Sequence, residues 1–204
     1  MQPTMVFDLG NVLIGWDIYA LYRKLLDSDE EIAAFLNSVR VHEWNAQMDA
    51  GKPFAEAVEE LSVEHPDKAH LIRAYHERWI ETILGPIDGT VRLLEQLDER
   101  GYRLLALSNW SAETFPLIRH TDPYSFLDRF ETIFLSGQLR MIKPHEPIFR
   151  HLLEKSGCRA EECFFIDDSK ANIETADRLG FQTHLFHAPE ALENDLRARG
   201  ILSA

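Results

Sequence analysis

The sequence MVFDLGNVLIGWD, residues 5–17, joins an apolar strand to a carboxylate and a glycine. The apolar run ends at Asp8, and Gly10 follows two residues later. Continuous apolar runs of this kind are typical of strands that are buried on both faces of a parallel sheet. Ligands of such sheets bind beyond the carboxyl ends of the strands. We therefore expect Asp8 to lie at a functional site, with Gly10 shaping the turn beside it.

The rest of the chain divides into a helical segment and a segment of alternating strands and helices. Residues 18–84 are predicted to be helical throughout, because Ser28 and Glu31 form a capping-box pattern and FAEAVEELS is amphipathic. GPIDG, residues 85–89, breaks this pattern and is predicted to be a hinge. Beyond it, strands are expected at 102–108, 131–136, 163–167 and 182–186, and helices at 90–100, after Ser111, from Pro144, at 172–179 and after Pro189.

This order of elements predicts an α/β fold whose core is a doubly wound, Rossmann-like parallel sheet with helices on both faces. The core domain comprises residues 1–16 and 85–204. Residues 17–84 are predicted to form a small all-helical cap domain, inserted after the first strand, that can act as a lid.

Charge and cysteine content narrow the class of protein. The 204 residues include 34 acidic and 21 basic side chains, and the formal net charge of −13 argues against nucleic acid as a partner, because phosphate backbones need clustered Lys and Arg. Cys158 and Cys163 are the only cysteines, so no disulfide framework is expected. No run approaches 18 apolar residues, and no signal-like segment opens the chain. We therefore expect a cytoplasmic protein without a membrane partner.

Polar side chains follow the predicted strands at the points where function is expected. They are Asp8, the pair Ser108-Asn109, the pair Asp167-Asp168, and Lys143 in the turn after ETIFLS. Because the strands are parallel, these groups are predicted to meet at one edge of the sheet. Adjacent carboxylates repel each other unless a cation or a proton lies between them, so the pattern favours a cation site.

In these motifs the chain resembles the haloacid dehalogenase superfamily of aspartate-nucleophile hydrolases, over nearly its whole length. The segment from Asp8 to Val12 is similar to the opening D-x-D-G-T motif, and Ser108 in LALSN to the second motif. Lys143 in IKPHEPIF and the acidic segment FFIDDSKANIETA are similar to the third and fourth motifs. The helical insertion resembles the cap domain of that family. The resemblance implies a hydrolase that acts on a small phosphorylated metabolite.

The resemblance also implies a role for each motif residue. Asp8 is the expected nucleophile, which forms an aspartyl-phosphate. Mg²⁺ is the expected cofactor, held by Asp8, the backbone carbonyl of Gly10 and Asp168. Phosphate is expected to contact the side chains of Ser108, Lys143 and Asn109 and the backbone amides of Leu9 and Gly10. Asp167 and Asn172 are expected to lie in the outer shell, where they contact metal-bound water.

Gly10 departs from the family pattern, because most of its phosphatases carry there an aspartate that protonates the leaving oxygen. The opening FDLGNV resembles that of the alpha-D-glucose-1-phosphate phosphatases, which implies that the loss need not abolish hydrolysis and that the substrate is a sugar phosphate. The substitute is a metal-bound water or one of three cap residues, His42, Glu43 or Asp49. A glycine in a turn can also adopt a positive φ, which would make a side chain costly at position 10.

Two other functions stay open at this point. A 2-haloacid dehalogenase attacks carbon without a metal and also lacks an aspartate at the position of Gly10, and Arg40 of the cap could bind its carboxylate substrate. Against this, the pair Asp167-Asp168 is hard to accommodate without a cation. The other alternative is a catalytically weak metabolite-binding protein. Trp44, Asn45 and Lys52 are cap residues whose sequence context does not show which of them faces the substrate.

Overall fold

A computed structural model describes residues 2–203; Met1 and Ala204, the two ends of the predicted core, lie outside the described residues. The strands are β1 (Thr4–Phe7), β2 (Ile14–Trp16), β3 (Ile83–Pro86), β4 (Leu104–Ser108), β5 (Thr132–Leu135), β6 (Cys163–Asp167) and β7 (Gln182–Leu185). The helices are α1 (Ile18–Tyr22), α2 (Asp29–Ser38), α3 (Val41–Asp49), α4 (Phe54–Glu64), α5 (Ala69–Glu77), α6 (Asp88–Glu99), α7 (Ser136–Leu139), α8 (Glu146–Ser156), α9 (Lys170–Arg178) and α10 (Pro189–Ala198).

Five strands form one parallel sheet in the order β5-β4-β1-β6-β7. This confirms the predicted α/β class and its parallel core. The chain leaves β1 toward β4 and β5 on one side and then returns to β6 and β7 on the other. β1 is therefore the point at which the strand order reverses, where open sheets of this kind bind ligands.

The continuous apolar strands are explained by two helical layers. Successive side chains of a strand point to opposite faces. Met5 and Phe7 of β1 accordingly lie in one core cluster with α6 and α10, whereas Val6 lies in the other with α8 and α9. A strand covered on both faces needs apolar residues at every position, which is the pattern of the sequence.

The inserted segment contains α1–α5 and a short 3-10 helix at Trp79–Thr82, so its helical character was predicted correctly. The prediction of helix up to residue 84 was wrong, because β3 begins at Ile83 and pairs antiparallel with β2. The proposed hinge GPIDG is also divided: Gly85 and Pro86 belong to β3, and Asp88 begins α6. The β2–β3 ribbon thus joins the two ends of the insertion. The domain boundaries at 16/17 and 84/85 stay a proposal.

A second difference follows Ser111. The expected helix is replaced by two 3-10 helices at Phe115–Leu117 and Asp122–Arg129, each with a proline near its start. Proline lacks a backbone N–H donor, which disfavours a longer α-helix through this segment. The short helix α7 was not predicted.

Within residues 2–203, no helix is both long enough and apolar enough to cross a membrane. Cys158 and Cys163 carry free thiols.

The insertion approaches the core closely at the end of α3. The Ser136 hydroxyl donates to the backbone carbonyl of Asp49 at 2.5 Å and accepts from the Trp110 amide at 2.9 Å. Gly51 (φ +96°) and Gly137 allow this approach, because a Cβ at Gly51 would meet the Gly137 carbonyl at 2.8 Å. Backbone contact between the two parts therefore depends on residues without side chains.

We expect Gly137→Ala to destabilise the protein. Its Cβ would meet the Ala112 nitrogen at 2.5 Å and the Trp110 oxygen at 2.8 Å. Overpacking of this kind costs about 1–3 kcal/mol, which lowers the melting temperature by about 2–4 °C per kcal/mol in a chain of this size. The control is Gly10→Ala, whose Cβ meets no heavy atom within 4 Å. Equal melting temperatures for the two variants would show that the contact at Gly137 is not tight.

Candidate active site

Asp8 directly follows β1, and several hydrogen-bond donors surround its carboxylate. Its Oδ1 accepts from the Ser108 hydroxyl at 2.7 Å and from the Leu9 amide at 2.7 Å, and it lies 3.1 Å from the Lys143 ammonium. The residue is 7% exposed. Within residues 2–203, all the hydrogen bonds of this carboxylate fall on Oδ1, which leaves Oδ2 for a substrate or a cation.

Lys143 is buried, and its ammonium has three acceptors. Besides Asp8, Nζ contacts Asp167 Oδ2 at 2.6 Å and donates to the Leu107 carbonyl at 2.8 Å. An ammonium has three donors, so this set satisfies it fully. Burial lowers the pKa of Lys143, but the charges of Asp167 and Asp8 outweigh burial and raise it above its ordinary value. Lys143 therefore stays charged beside the two carboxylates.

The amide side chains of Asn172 and Asn109 hold Asp167 and Lys143 in place. Asn172 donates to both oxygens of Asp167 at 2.9 and 3.0 Å, and the Ser169 amide donates to Asp167 Oδ1 at 2.8 Å. Asn109 donates to the Lys143 carbonyl at 2.9 Å and accepts from the Lys143 amide at 2.9 Å. Both amides thus position the lysine and its partner carboxylate.

The residues predicted for the site lie close together, but several of their hydrogen-bond donors already bond to other residues of the protein. The Leu9 amide donates to Asp8, and the side chain of Asn109 is bonded to the Lys143 backbone. Ser108 donates to Asp8 Oδ1. In this structure these groups orient the carboxylate and the lysine, and their contacts to phosphate stay a prediction. The outer-shell role of Asp167 and Asn172 also stays a prediction.

The acidic residues provide an oxygen-rich site that fits a divalent cation. Ligand atoms of Asp8, Asp167 and Asp168 all lie within 4.8 Å of one another. Three carboxylates face one ammonium, so the ionised cluster has an excess of two negative charges. Burial raises the pKa of Asp8, and Lys143 only partly offsets this; burial also raises the pKa of Asp168, and Asp167 adds to this effect. Because Asp167 is bonded to Lys143, Asp8 and Asp168 are the residues left for Mg²⁺, a hard ion that prefers oxygen ligands.

Position 10 has room for a side chain. A Cβ at Gly10 would meet no heavy atom within 4 Å, and its φ lies outside the left-handed region. Gly10 therefore does not adopt the positive φ that would have made a side chain costly there. That conformation occurs at Asn11 (φ 53°), whose side chain accepts from the Trp16 amide at 3.0 Å. Neither sterics nor backbone conformation requires the glycine.

A cavity of about 170 Å³ opens beside the acidic cluster. Five aromatic residues line it: Trp16, Phe54, Tyr75, Trp79 and Trp110. Gly10, Asn109 and Asp168 contribute from the core, and Asn45 and Asp49 from α3. These aromatic residues could not be recognised from the sequence, because an apolar side chain fits the same pattern whether it fills a core or lines a cavity.

The other candidates from the insertion lie elsewhere. His42 and Glu43 are exposed and do not line the cavity. Arg40 and Glu43 line a separate depression on the insertion, so the alternative in which Arg40 binds a carboxylate substrate at Asp8 is not supported by the structure. Lys52 pairs with Glu60, and the Trp44 indole donates to the Ala57 carbonyl. Of the seven cap residues named from the sequence as candidates for the site, only Asn45 and Asp49 line the cavity.

Residues 18–186 match the sequence profile of the Haloacid dehalogenase-like hydrolase family, and the chain belongs to that family. It is 26% identical over 201 residues to a drimenol cyclase of Aspergillus calidoustus, a match that covers 96% of this chain but only 36% of that protein. It is 24% identical over 185 residues to a sesquiterpene phosphatase of Aspergillus oryzae, covering 86% of this chain and 85% of that protein.

Solved structures agree with this assignment. A haloacid dehalogenase family enzyme from Bacteroides thetaiotaomicron, crystallised with magnesium and inorganic phosphate, superposes with a TM-score of 0.70. The two chains are 26% identical, and the superposition covers 92% of this chain and 96% of that one. The predicted superfamily is therefore confirmed.

We expect Lys143→Met to destabilise the protein when measured by urea unfolding in EDTA at pH 8. Removing one partner of a buried pair costs about 3–5 kcal/mol, because the remaining carboxylates are left uncompensated. The penalty should shrink at pH 5. Without the lysine the folded-state pKa of Asp8 rises further, because the charge that lowers it is gone. The folded protein then binds more protons than the unfolded chain, and its stability increases as the pH falls.

The matched control is Lys170→Met, since Lys170 is exposed and, within residues 2–203, pairs only with Glu174. Its effect should stay within about 0.5 kcal/mol. Similar losses for both lysines, or a Lys143→Met penalty that does not change with pH, would contradict the buried ion-pair assignment.

Proposed function

We propose that the protein is a Mg²⁺-dependent phosphatase that hydrolyses a small organic phosphoester through phosphorylated Asp8. The observation that carries this proposal is the placement of Asp8 at the end of the central strand. Ser108 and Lys143 hold its Oδ1, while its Oδ2 has no hydrogen-bond partner within residues 2–203. A carboxylate nucleophile divides one difficult displacement into two easier ones.

The reaction follows from this arrangement. Asp8 attacks phosphorus, the bond from phosphorus to the leaving oxygen breaks, and that oxygen departs with the electron pair and takes up a proton. Water then attacks phosphorus, the bond to Asp8 breaks, and inorganic phosphate and the Asp8 carboxylate are released. Lys143 neutralises charge throughout, and Ser108 orients the nucleophile.

Asp8, the Gly10 carbonyl and Asp168 would hold Mg²⁺. The bound ion supplies positive charge that keeps carboxylates ionised and neutralises phosphoryl oxygens. The cluster's excess of negative charge and the raised pKa of Asp8 support a cation there. The Bacteroides enzyme with magnesium and phosphate and the sesquiterpene phosphatase support a phosphatase over a dehalogenase. Arg40 lines a separate depression rather than this cavity, which argues in the same direction.

The cavity supports an apolar organic group as the leaving part of the substrate. Five of its lining residues are aromatic, and its volume of about 170 Å³ is close to that of a cavity that holds a benzene-sized group. The sequence resemblance favours a sugar phosphate instead, to which Asn45, Asp49 and Ser111 offer polar contacts. We favour a short branched or aromatic phosphoester. A cytoplasmic location stays a prediction.

A substrate panel tests the proposal. Dimethylallyl phosphate, phenyl phosphate, glucose 1-phosphate and 2-chloropropionate are each assayed with Mg²⁺ and with EDTA. We expect Mg²⁺-dependent phosphate release, with kcat/KM higher for the first two than for the sugar phosphate, and no halide release. Asp8→Asn should abolish turnover, and Asp168→Ala should abolish Mg²⁺-dependent turnover while the protein stays folded.

Three outcomes would contradict parts of this account. Full activity in EDTA would remove the metal from the mechanism. Halide release without phosphate release would support a dehalogenase. Binding of a phosphoester without turnover would support the metabolite-binding alternative.

A further inference from the structure

Helix α3 brings one carboxyl group to the cavity that the proposed reaction would use. Asp49, its last residue, lines the cavity together with Gly10 and Asp168. Position 10 is the place where most of the family's phosphatases carry an aspartate, and here it holds a glycine. Asp49 is therefore a carboxyl group that lines the same cavity as Gly10 and comes from the insertion.

The side chain of Asp49 is held by a hydrogen-bonded chain. The Asn45 amide donates to Asp49 Oδ2 at 2.8 Å, and the Tyr75 hydroxyl donates to Asn45 Oδ1 at 2.6 Å. Tyr75 is fully buried and fixes the orientation of the amide. The Ser136 hydroxyl holds the Asp49 backbone against the core. The carboxyl group is thus positioned by both the insertion and the core, as a group that handles protons requires.

Its surroundings suit proton transfer near neutral pH. Burial raises the pKa of Asp49 to about 7, and the Ser111 backbone amide and the charge of Lys143 only partly offset this. Tyr75 is the other ionisable group coupled to it, and its own pKa is raised well above the ordinary value, so it stays neutral. A general acid or base is most effective when its pKa lies near the working pH.

We propose that Asp49 is the general acid and base of the reaction and replaces the carboxyl group missing at position 10. This inference rests on the proposed phosphatase activity. In the first step the Asp49 carboxyl gives its proton to the leaving oxygen as the bond from phosphorus to that oxygen breaks. In the second, the Asp49 carboxylate takes a proton from the water that attacks phosphorus and displaces Asp8.

The test compares leaving groups. A positioned general acid contributes about 10²–10⁴-fold, chiefly when the leaving oxygen is strongly basic. Asp49→Asn should therefore lower kcat for dimethylallyl phosphate by about this factor and kcat for p-nitrophenyl phosphate by less than about tenfold. Glu43→Gln and His42→Asn on the same helix are matched controls and should behave as the wild type.

A rescue variant separates chemistry from architecture. Because Gly10 has room for a side chain, Gly10→Asp combined with Asp49→Asn should recover part of the lost kcat for dimethylallyl phosphate. If Asp49 had only a structural role, a carboxyl group at position 10 would not restore the kcat lost in Asp49→Asn.

Thermal unfolding against pH gives a readout independent of turnover. The raised pKa means that folded Asp49 binds protons more tightly than in the unfolded chain, so wild-type stability should fall as the pH rises from about 4 to above 7. In Asp49→Asn this contribution should be absent, which makes the variant the more stable protein at pH 8.

The outcomes separate this inference from the proposed function. If the wild type releases phosphate but Asp49→Asn slows alkyl and aryl substrates equally, or the double variant recovers nothing, Asp49 is not the acid. If the wild type releases no phosphate from any member of the panel, the proposed function itself fails, and this assignment fails with it.

Discussion

The buried ammonium of Lys143, placed between Asp8 and Asp167, constrains the rest of the core. A charge away from water is tolerated only when it is paired and fully hydrogen-bonded. Here the three acceptors come from three neighbouring strands, β1, β4 and β6. Phe7 pairs with both Ala106 and Ile166, and this register places the next residue of each strand at the same level. A slip of one residue would turn Asp8 to the other face of the sheet.

Much of the core could be predicted because its signals are local. Strands buried on both faces need continuous apolar runs, and the chemistry-bearing residues follow those runs directly. The β2–β3 ribbon gave no such signal, because its strands are three and four residues long and contain Gly15, Gly85 and Pro86. It could also not be predicted that Asn109 and Leu9 donate to Lys143 and Asp8 rather than to a ligand, since their partners are fixed only by tertiary contacts.

The sequence could not show which carboxyl or imidazole group of the cap lies at the site. His42 and Asp49 are seven residues apart on α3 and share one helical face, so periodicity cannot distinguish them. They differ in position along the axis by about 10 Å, at a rise of 1.5 Å per residue. Only the end of α3 near Asp49 reaches Ser136 and the cavity. Which end of a helix meets the core depends on the packing of the whole insertion.

The aromatic residues that line the cavity affect the electrostatics of the site as well as the substrate it can hold. Apolar surroundings exclude water and strengthen every electrostatic interaction inside the site. Burial raises the pKa of Asp49 to about 7, near the pH at which a carboxyl group can exchange protons. A cavity with five aromatic lining residues and a proton-transferring carboxyl group are therefore consistent features of one site.

The central claim, that Asp8 attacks phosphorus, is tested most directly by multiple turnovers in ¹⁸O-water followed by mass spectrometry of the peptide that contains Asp8 and of the released phosphate. Attack on phosphorus predicts ¹⁸O in the inorganic phosphate and none in the Asp8 carboxylate, because water reacts at phosphorus in the second step. Incorporation of ¹⁸O into Asp8 would show that water attacks the carboxyl carbon, as after displacement at a carbon centre, and would contradict the account.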